Sequence, residues 1–250
     1  SGGDYGDELT FTTGTAMQLP NAKFDDWHLK GKVYNFWSEG SEEFWGSGNK
    51  GASILRSITT PDETNTWDGK AGTSVKMESI YALVKFAAGN LFAGYWYGFA
   101  EGSMTDGHLK FGRPFTERPT KLTGYYKYTT GAINQMDKGS DKYDELYPLL
   151  KDKDDTCIIW VALGDWDAPI DIITAKTSSK RKMFDPNDSH VIAYGEFTQG
   201  KTIHNFERFS VELEYRDTYR VPKYLIVVCS SSKYGDYFFG SDQSVMWVDD

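Results

Sequence analysis

Residues 208–216 read RFSVELEYR. Apolar side chains fall at Phe209, Val211, Leu213 and Tyr215, and polar ones at Ser210, Glu212, Glu214 and Arg216. A period of two marks a β-strand, because successive side chains on a strand point to opposite faces. One face of this segment is expected in a core and the other in water. The run YLIVVC at 224–229 has no such alternation and suits an inner strand covered on both faces. Between YLIVVC and the last apolar run, SVMWV (244–248), lies SSSKYGDYFFGS (230–241), polar at one end and aromatic at the other.

The same texture continues back to Phe24. Further strands are expected at VYNFW (33–37), ASILRSI (52–58), TSVKMESIYALV (73–84), KLTGYYKYT (121–129), TCIIWVAL (156–163) and SHVIAYGEF (189–197), separated by Gly, Asp, Asn and Pro. One helical pattern occurs, SDKYDELYPLLKDKDD (140–155), and Pro148 limits it to a turn or two. Such strands, at irregular spacing and without alternating helices, predict an all-β fold: an antiparallel β-sandwich of jelly-roll type. No internal repeat appears, so residues 21–250 are expected to form one domain. Residues 1–20, opening SGGDYGDE without an initiator Met, are expected to be a linker or expression remnant, with LTFTT (9–13) as a candidate edge strand. A removed export signal or lipid anchor is compatible with that start.

Composition excludes several functions. At 39% hydrophobic residues the 250-residue chain can bury a sizeable core. The net charge is −9, so a polyanion such as DNA is repelled over most of the surface, and the one basic cluster, Ser179-Lys180-Arg181-Lys182, is short. No nucleic-acid partner is expected. No stretch approaches the ~20 apolar residues of a membrane span. Cys157 and Cys229 each sit in or at the end of an apolar strand, where buried free thiols are the simpler expectation.

Candidate chemistry is sparse. Glycoside hydrolysis needs two carboxyls, about 5–5.5 Å apart for retention or about 6.5–9.5 Å for inversion. Glu212 and Glu214, two residues apart on one predicted strand face, are the best such pair. Four histidines show no metal-binding spacing. Hard cations prefer clustered oxygens, and the pairs Asp25-Asp26 and Asp249-Asp250 are candidate calcium ligands if the first and last strands lie side by side. A structural calcium ion is otherwise the only cofactor considered. The three consecutive serines lack a neighbouring His and are read as a strand exit.

Aromatic residues make up 16% of the chain. Flat rings stack on the C–H faces of sugars. Trp45, Trp67 and Trp166 sit in Gly/Asp/Asn-rich segments where exposure is expected. Trp96 belongs to the run Tyr95-Trp96-Tyr97-Gly98-Phe99, in which alternation must leave at least one ring outside a one-sided core. Tyr234, Asp236 and Tyr237 form a candidate rim if their side chains point outward.

The ordered set FDDW (24–27), WGSGNKGAS (45–53), AAGNLFAGYW (87–96), GRPFTERPTKLTGYYKY (112–128), VIAYGEF (191–197) and YRDTYRVPKYLIVVCSSSKYGDYFFGSDQSVMWVDD (215–250) resembles the putative carbohydrate metabolism domain family of Bacteroidetes-type bacteria. The resemblance implies a jelly-roll-type sandwich similar to carbohydrate-binding modules. It also implies a secreted or lipid-anchored location at the cell surface and a link to glycans, with no agreed catalytic residues. The ending WVDD resembles the last strand of calcium-bearing carbohydrate-binding modules. The leading expectation is an exported, non-catalytic glycan-binding domain whose partner is an oligo- or polysaccharide. A structural module of a surface assembly and a jelly-roll glycoside hydrolase are the alternatives.

Overall fold

The computed structural model describes residues 17–82 and 84–250; the candidate strand at 9–13 lies outside the described residues. Two antiparallel sheets face each other. The smaller has the order Ile203–Glu212, Lys121–Thr129, Val245–Asp249, Ser74–Glu78, Thr59–Asp62. The larger runs Ile170–Ile173, Gly107–Phe111, Asn90–Phe99, Tyr224–Ser230, Cys157–Gly164, Val191–Gln199, Glu214–Tyr215. Two short strands, Trp45–Gly46 and Arg113–Pro114, pair with Asn90–Phe99 and Tyr224–Ser230. The chain is thus the expected antiparallel β-sandwich.

Alternation builds the core between the sheets. The smaller sheet contributes Val75, Met77, Tyr126, Tyr128, Val211 and Met246, and the larger contributes Leu91, Ile159, Val161, Leu225 and Val227. The larger sheet is covered on its outer face as well. There Phe92, Phe111, Ala162, Ile226 and Val228 pack under Trp166, Ile172 and Phe184 from the 165–190 segment. This second layer explains the unbroken YLIVVC run: Leu225, Val227 and Cys229 face the inner core, while Ile226 and Val228 face the outer cluster. Both cysteines are buried and free. Burial pushes the Cys229 thiol up to about 12 and raises that of Cys157.

Three expected strands differ in the structure, and Gly107–Phe111 and Ile170–Ile173 are strands that the sequence reading did not expect. ASILRSI is not a strand; a short helix, Asn49–Ala52, leads into turns instead. The buried Asn49 side chain donates to the carbonyls of Tyr34 (3.0 Å) and Thr59 (2.7 Å) and accepts from the N–H groups of Ile58 and Thr59 (2.9 Å each). One amide thus satisfies backbone groups that a strand would have paired. TSVKMESIYALV breaks at Ser79 into Ser74–Glu78 and Ile80–Ala82, because the Ser79 hydroxyl turns into a buried polar cluster. RFSVELEYR crosses between sheets at Leu213. Glu212 pairs with Lys121 in the smaller sheet, and Glu214 pairs with Tyr194 in the larger. The crossing requires Gly195: a Cβ there would lie 2.1 Å from the Glu212 carbonyl oxygen. The helical pattern yields Tyr143–Leu150, two turns with Pro148 inside.

Candidate functional site

The candidate aromatics separate into core and surface. Trp45 is buried among Phe24 and Phe44, and its indole N–H donates to the Pro20 carbonyl (2.8 Å). Trp166 is buried in the outer-face cluster. Neither is available to a ligand, which corrects the expectation of loop exposure. Trp96 is half-buried, its ring edge resting against Gly51 and Gly107. Trp67 is 39% exposed and stacks flat on Tyr125, with centroids 4.0 Å apart at 9°.

SSSKYGDYFFGS is organised by a buried carboxylate, Asp155. Its Oδ2 accepts from the Ser232 hydroxyl, the Ser241 N–H (2.8 Å) and the Ser244 hydroxyl (2.9 Å), and its Oδ1 from the Thr156 N–H (2.8 Å). Ser79 links Ser231 (2.8 Å) and Ser232 (3.0 Å), and the Tyr128 hydroxyl donates to the Ser231 carbonyl (3.1 Å). Burial raises the Asp155 pKa against these hydrogen bonds. The serines are therefore structural. Tyr234 and Tyr237 pack on the cluster of Ile133, Leu146, Leu150 and Phe239, and within the stretch only Asp236, on the 3-10 turn Gly235–Tyr237, is exposed. The two tyrosines form a clasp and not the expected rim.

The same stretch shapes a cleft by a different residue. Phe238 adopts the left-handed conformation (φ 66°), unusual for an aromatic side chain. This turns consecutive phenylalanines apart: Phe239 enters the helix cluster, while Phe238 packs with Phe86 and Ala88. Phe86 and Phe238 line a cleft of about 290 Å³, shared with Tyr81, Val84, Asn134, Gln135, Met136, Asp137 and Lys176. The Tyr81 ring is 51% exposed. The polar groups are held in place. Asp242 accepts from the amides of both Asn134 (2.7 Å) and Gln135 (3.0 Å). Asp137 accepts from the Gly139 N–H (2.8 Å) and pairs with Lys176 (2.7 Å). Phe86 and Phe238 are buried behind the cleft, so its exposed groups are the Tyr81 ring, two oriented amides and a fixed carboxylate, a set of stacking and hydrogen-bonding partners.

The carboxylate candidates do not assemble as expected. Glu212 and Glu214 are both exposed but stand on different sheets, so they do not flank one cleft. Asp26 accepts from the Ser38 hydroxyl (2.8 Å), Asp25 from the Thr73 N–H (3.0 Å), and Asp249 from the Trp67 N–H (2.9 Å). Among the described residues, no group of three or more His, Cys, Asp or Glu side chains is gathered so as to hold a metal ion. The first and last strands do not lie side by side: His28–Lys30 pairs with Val33–Asn35, and Val245–Asp249 lies between Lys121–Thr129 and Ser74–Glu78, although the charge of Asp25 acts on Asp249. Glu43 is a carboxyl that sequence reasoning missed. It lines a small cleft with Tyr34, Trp37, Lys50 and Trp96, and its pKa is raised by burial against the pull of Lys50, Arg113 and His28. Among the described residues, no second carboxyl lines that cleft.

Fold and cleft together define a two-layer β-sandwich with a cleft of about 290 Å³ beside the exposed Tyr81 ring. Residues 23–250 match the family model described as the putative carbohydrate metabolism domain, and the chain belongs to that family. Two crystal structures share the fold. One, described as a putative glycoside hydrolase from Bacteroides thetaiotaomicron VPI-5482, has a TM-score of 0.66 at 21% identity, covering 92% of this chain and 69% of that one. The other, described as a putative glycoside hydrolase from Bacteroides vulgatus ATCC 8482, has a TM-score of 0.63 at 22% identity, covering 91% and 94%. At these identities the likeness is one of fold. A search of curated protein sequences found no match.

Proposed function

We propose that this chain is an exported glycan-binding domain without a catalytic role, and that it takes a sugar residue of an oligo- or polysaccharide in the Tyr81–Phe238 cleft. The observation that carries the proposal is the oriented polar set. Asn134, Gln135 and Asp137 are held by Asp242, Gly139 and Lys176 before any ligand arrives, so little ordering is left to binding. The exposed Tyr81 ring supplies the stacking face. Membership of a carbohydrate-linked family supports a sugar as the ligand class. Export accords with polysaccharide, which a cell meets outside its membranes. Among the described residues no helix is long and apolar enough to cross one. Among the described residues, Glu212 and Glu214 do not share a cleft, and no second carboxyl lines the cleft of Glu43.

A glycan array identifies the ligand, and titration of the best-binding glycan then tests the cleft. Tyr81→Ala and Gln135→Ala are each expected to weaken binding about tenfold, equivalent to about 1.4 kcal/mol. Undiminished affinity in both variants would place the sugar elsewhere.

A further inference from the structure

Two sequence features stand outside the cleft: the aromatic run Tyr95–Phe99 and the basic run Ser179–Lys182. Folding brings them to one surface. Gly107–Phe111 pairs with Asn90–Phe99 on one side, with Tyr95 opposite Lys110, and with Ile170–Ile173 on the other, with Asp171 opposite Lys110. Ile173 then bridges to Lys182. Antiparallel partners share a face, so Tyr95, Lys110, Asp171 and Lys182 lie on one side of this ribbon. Leu109, Phe111 and Ile172 point the other way into the outer-face cluster.

On the shared face the charges are unequal. Asp171 accepts from Lys110 (2.5 Å) and from His108 Nε2 (2.6 Å), and it lies 3.5 Å from Lys182. Two ammonium groups and an imidazole meet one carboxylate, in a chain whose net charge is −9. The hydrogen bond from Lys110 leads the effects that hold the Asp171 carboxyl down at about 2, so it stays ionised and fixes its partners. Above them stands Tyr97, 63% exposed at the bulge between Trp96 and Gly98. Its ring is 4.6 Å from that of His108 and 5.3 Å from the Lys110 ammonium. The ammonium lies over the ring and the imidazole is tilted against it, so the ring is held while the residue stays 63% exposed. An exposed, supported ring beside a surplus of cations suits a sugar that carries a negative charge.

We propose that Tyr97, Lys110 and Lys182 form a second glycan-binding surface, specific for acidic sugars whose ring stacks on Tyr97 and whose carboxylate or sulfate is taken by the lysines. It is independent of the Tyr81–Phe238 cleft. The overall negative charge opposes polyanions only at long range, and at physiological salt that repulsion is screened beyond about 8 Å. The local surplus therefore decides.

Matched ligand pairs isolate the charge: oligogalacturonate against its methyl ester, and dextran sulfate against dextran. Wild-type protein is expected to prefer the charged member of at least one pair about tenfold, equivalent to about 1.4 kcal/mol. Preference confined to the first pair assigns uronates, and preference confined to the second assigns sulfated sugars. Lys110→Gln with Lys182→Gln should bring the ratio close to one, and Lys182→Gln alone should lower it. Tyr97→Ala should weaken both members of the preferred pair while melting with the wild type, since the ring is mostly exposed. A wild-type ratio near one in both pairs, or a ratio that survives the double lysine substitution, would overturn the proposal.

Discussion

Glu212 and Glu214 are two residues apart, yet each belongs to a different sheet: Glu212 lies opposite Lys121 and Glu214 opposite Tyr194. Phe209, Val211, Leu213 and Tyr215 all still meet the inner core. When the chain crosses from one layer to the facing one, the inward direction reverses, and the outward side chains diverge onto separate faces. A residue in each role is a solvated strand position. Glu212→Gln and Glu214→Gln are each expected to change stability by less than about 0.5 kcal/mol and to leave glycan affinity at the wild-type level. Thermal melts and titration of the array-selected glycan check both. A large loss of affinity in either variant would return that carboxylate to the functional site.

Asp155 accepts four hydrogen bonds through one carboxylate, tying its own strand start to Ser232 and to the Ser241–Ser244 turn. Removing it leaves the Ser241 N–H and the Ser232 and Ser244 hydroxyls without their acceptor, in a region closed to water. Each orphaned buried group costs about 1–3 kcal/mol, and hydroxyls relax more readily than a backbone N–H. Asp155→Ala is therefore expected to cost about 3 kcal/mol, read as a lower urea midpoint with an unchanged slope. Tyr128→Phe, which removes the hydroxyl that bonds the Ser231 carbonyl and the Ser244 hydroxyl, should cost about 1 kcal/mol. A wild-type midpoint for Asp155→Ala would mean that the serines satisfy one another without it.

Much of the sandwich was legible because burial leaves a pattern. KLTGYYKYT and YLIVVCS correspond to Lys121–Thr129 and Tyr224–Ser230. Alternation reports which residues face a core; it does not report which sheet carries them, so the crossing at Leu213 left no trace. Trp45 and Trp166 were misplaced for a related reason. The Gly- and Asp-rich neighbourhoods suggested loops, but each ring is buried by residues distant in sequence, such as Phe24 on Trp45. The cleft was illegible altogether. Tyr81, Asn134, Gln135, Lys176 and Phe238 come from four separate segments, and the left-handed turn at Phe238 that brings the last of them in has no signature in FFGS.

Asp242 is not among the residues lining the cleft but holds the amides of Asn134 and Gln135 together. It is a positioning residue. Asp242→Ala is expected to free both amides and weaken glycan affinity about fivefold, roughly 1 kcal/mol, through a faster off-rate. Asp242→Asn, which retains one acceptor oxygen, should recover part of the loss. Kinetic binding measurements decide, and equal affinity in all three proteins would show that the amides need no support.

Asp249 is buried beside Asp250 and within the field of Asp25, and its carboxylate accepts the Trp67 N–H. Burial chiefly, with the two like charges adding to it, pushes its pKa up to about 6 from 3.8. The native state therefore keeps a proton that the unfolded chain has already released between about pH 4 and pH 6. Where the native state binds more protons, stability falls as pH rises. This group's contribution is full below about pH 4 and is lost as pH passes about 6, a difference of roughly 2–3 kcal/mol. Asparagine resembles the protonated carboxyl and still offers an oxygen to Trp67. Asp249→Asn is thus expected to match the wild type at pH 4 and to exceed it in stability at pH 7. Chemical denaturation across this range measures the difference, and two curves that run parallel from pH 4 to pH 7 would show that Asp249 does not titrate there.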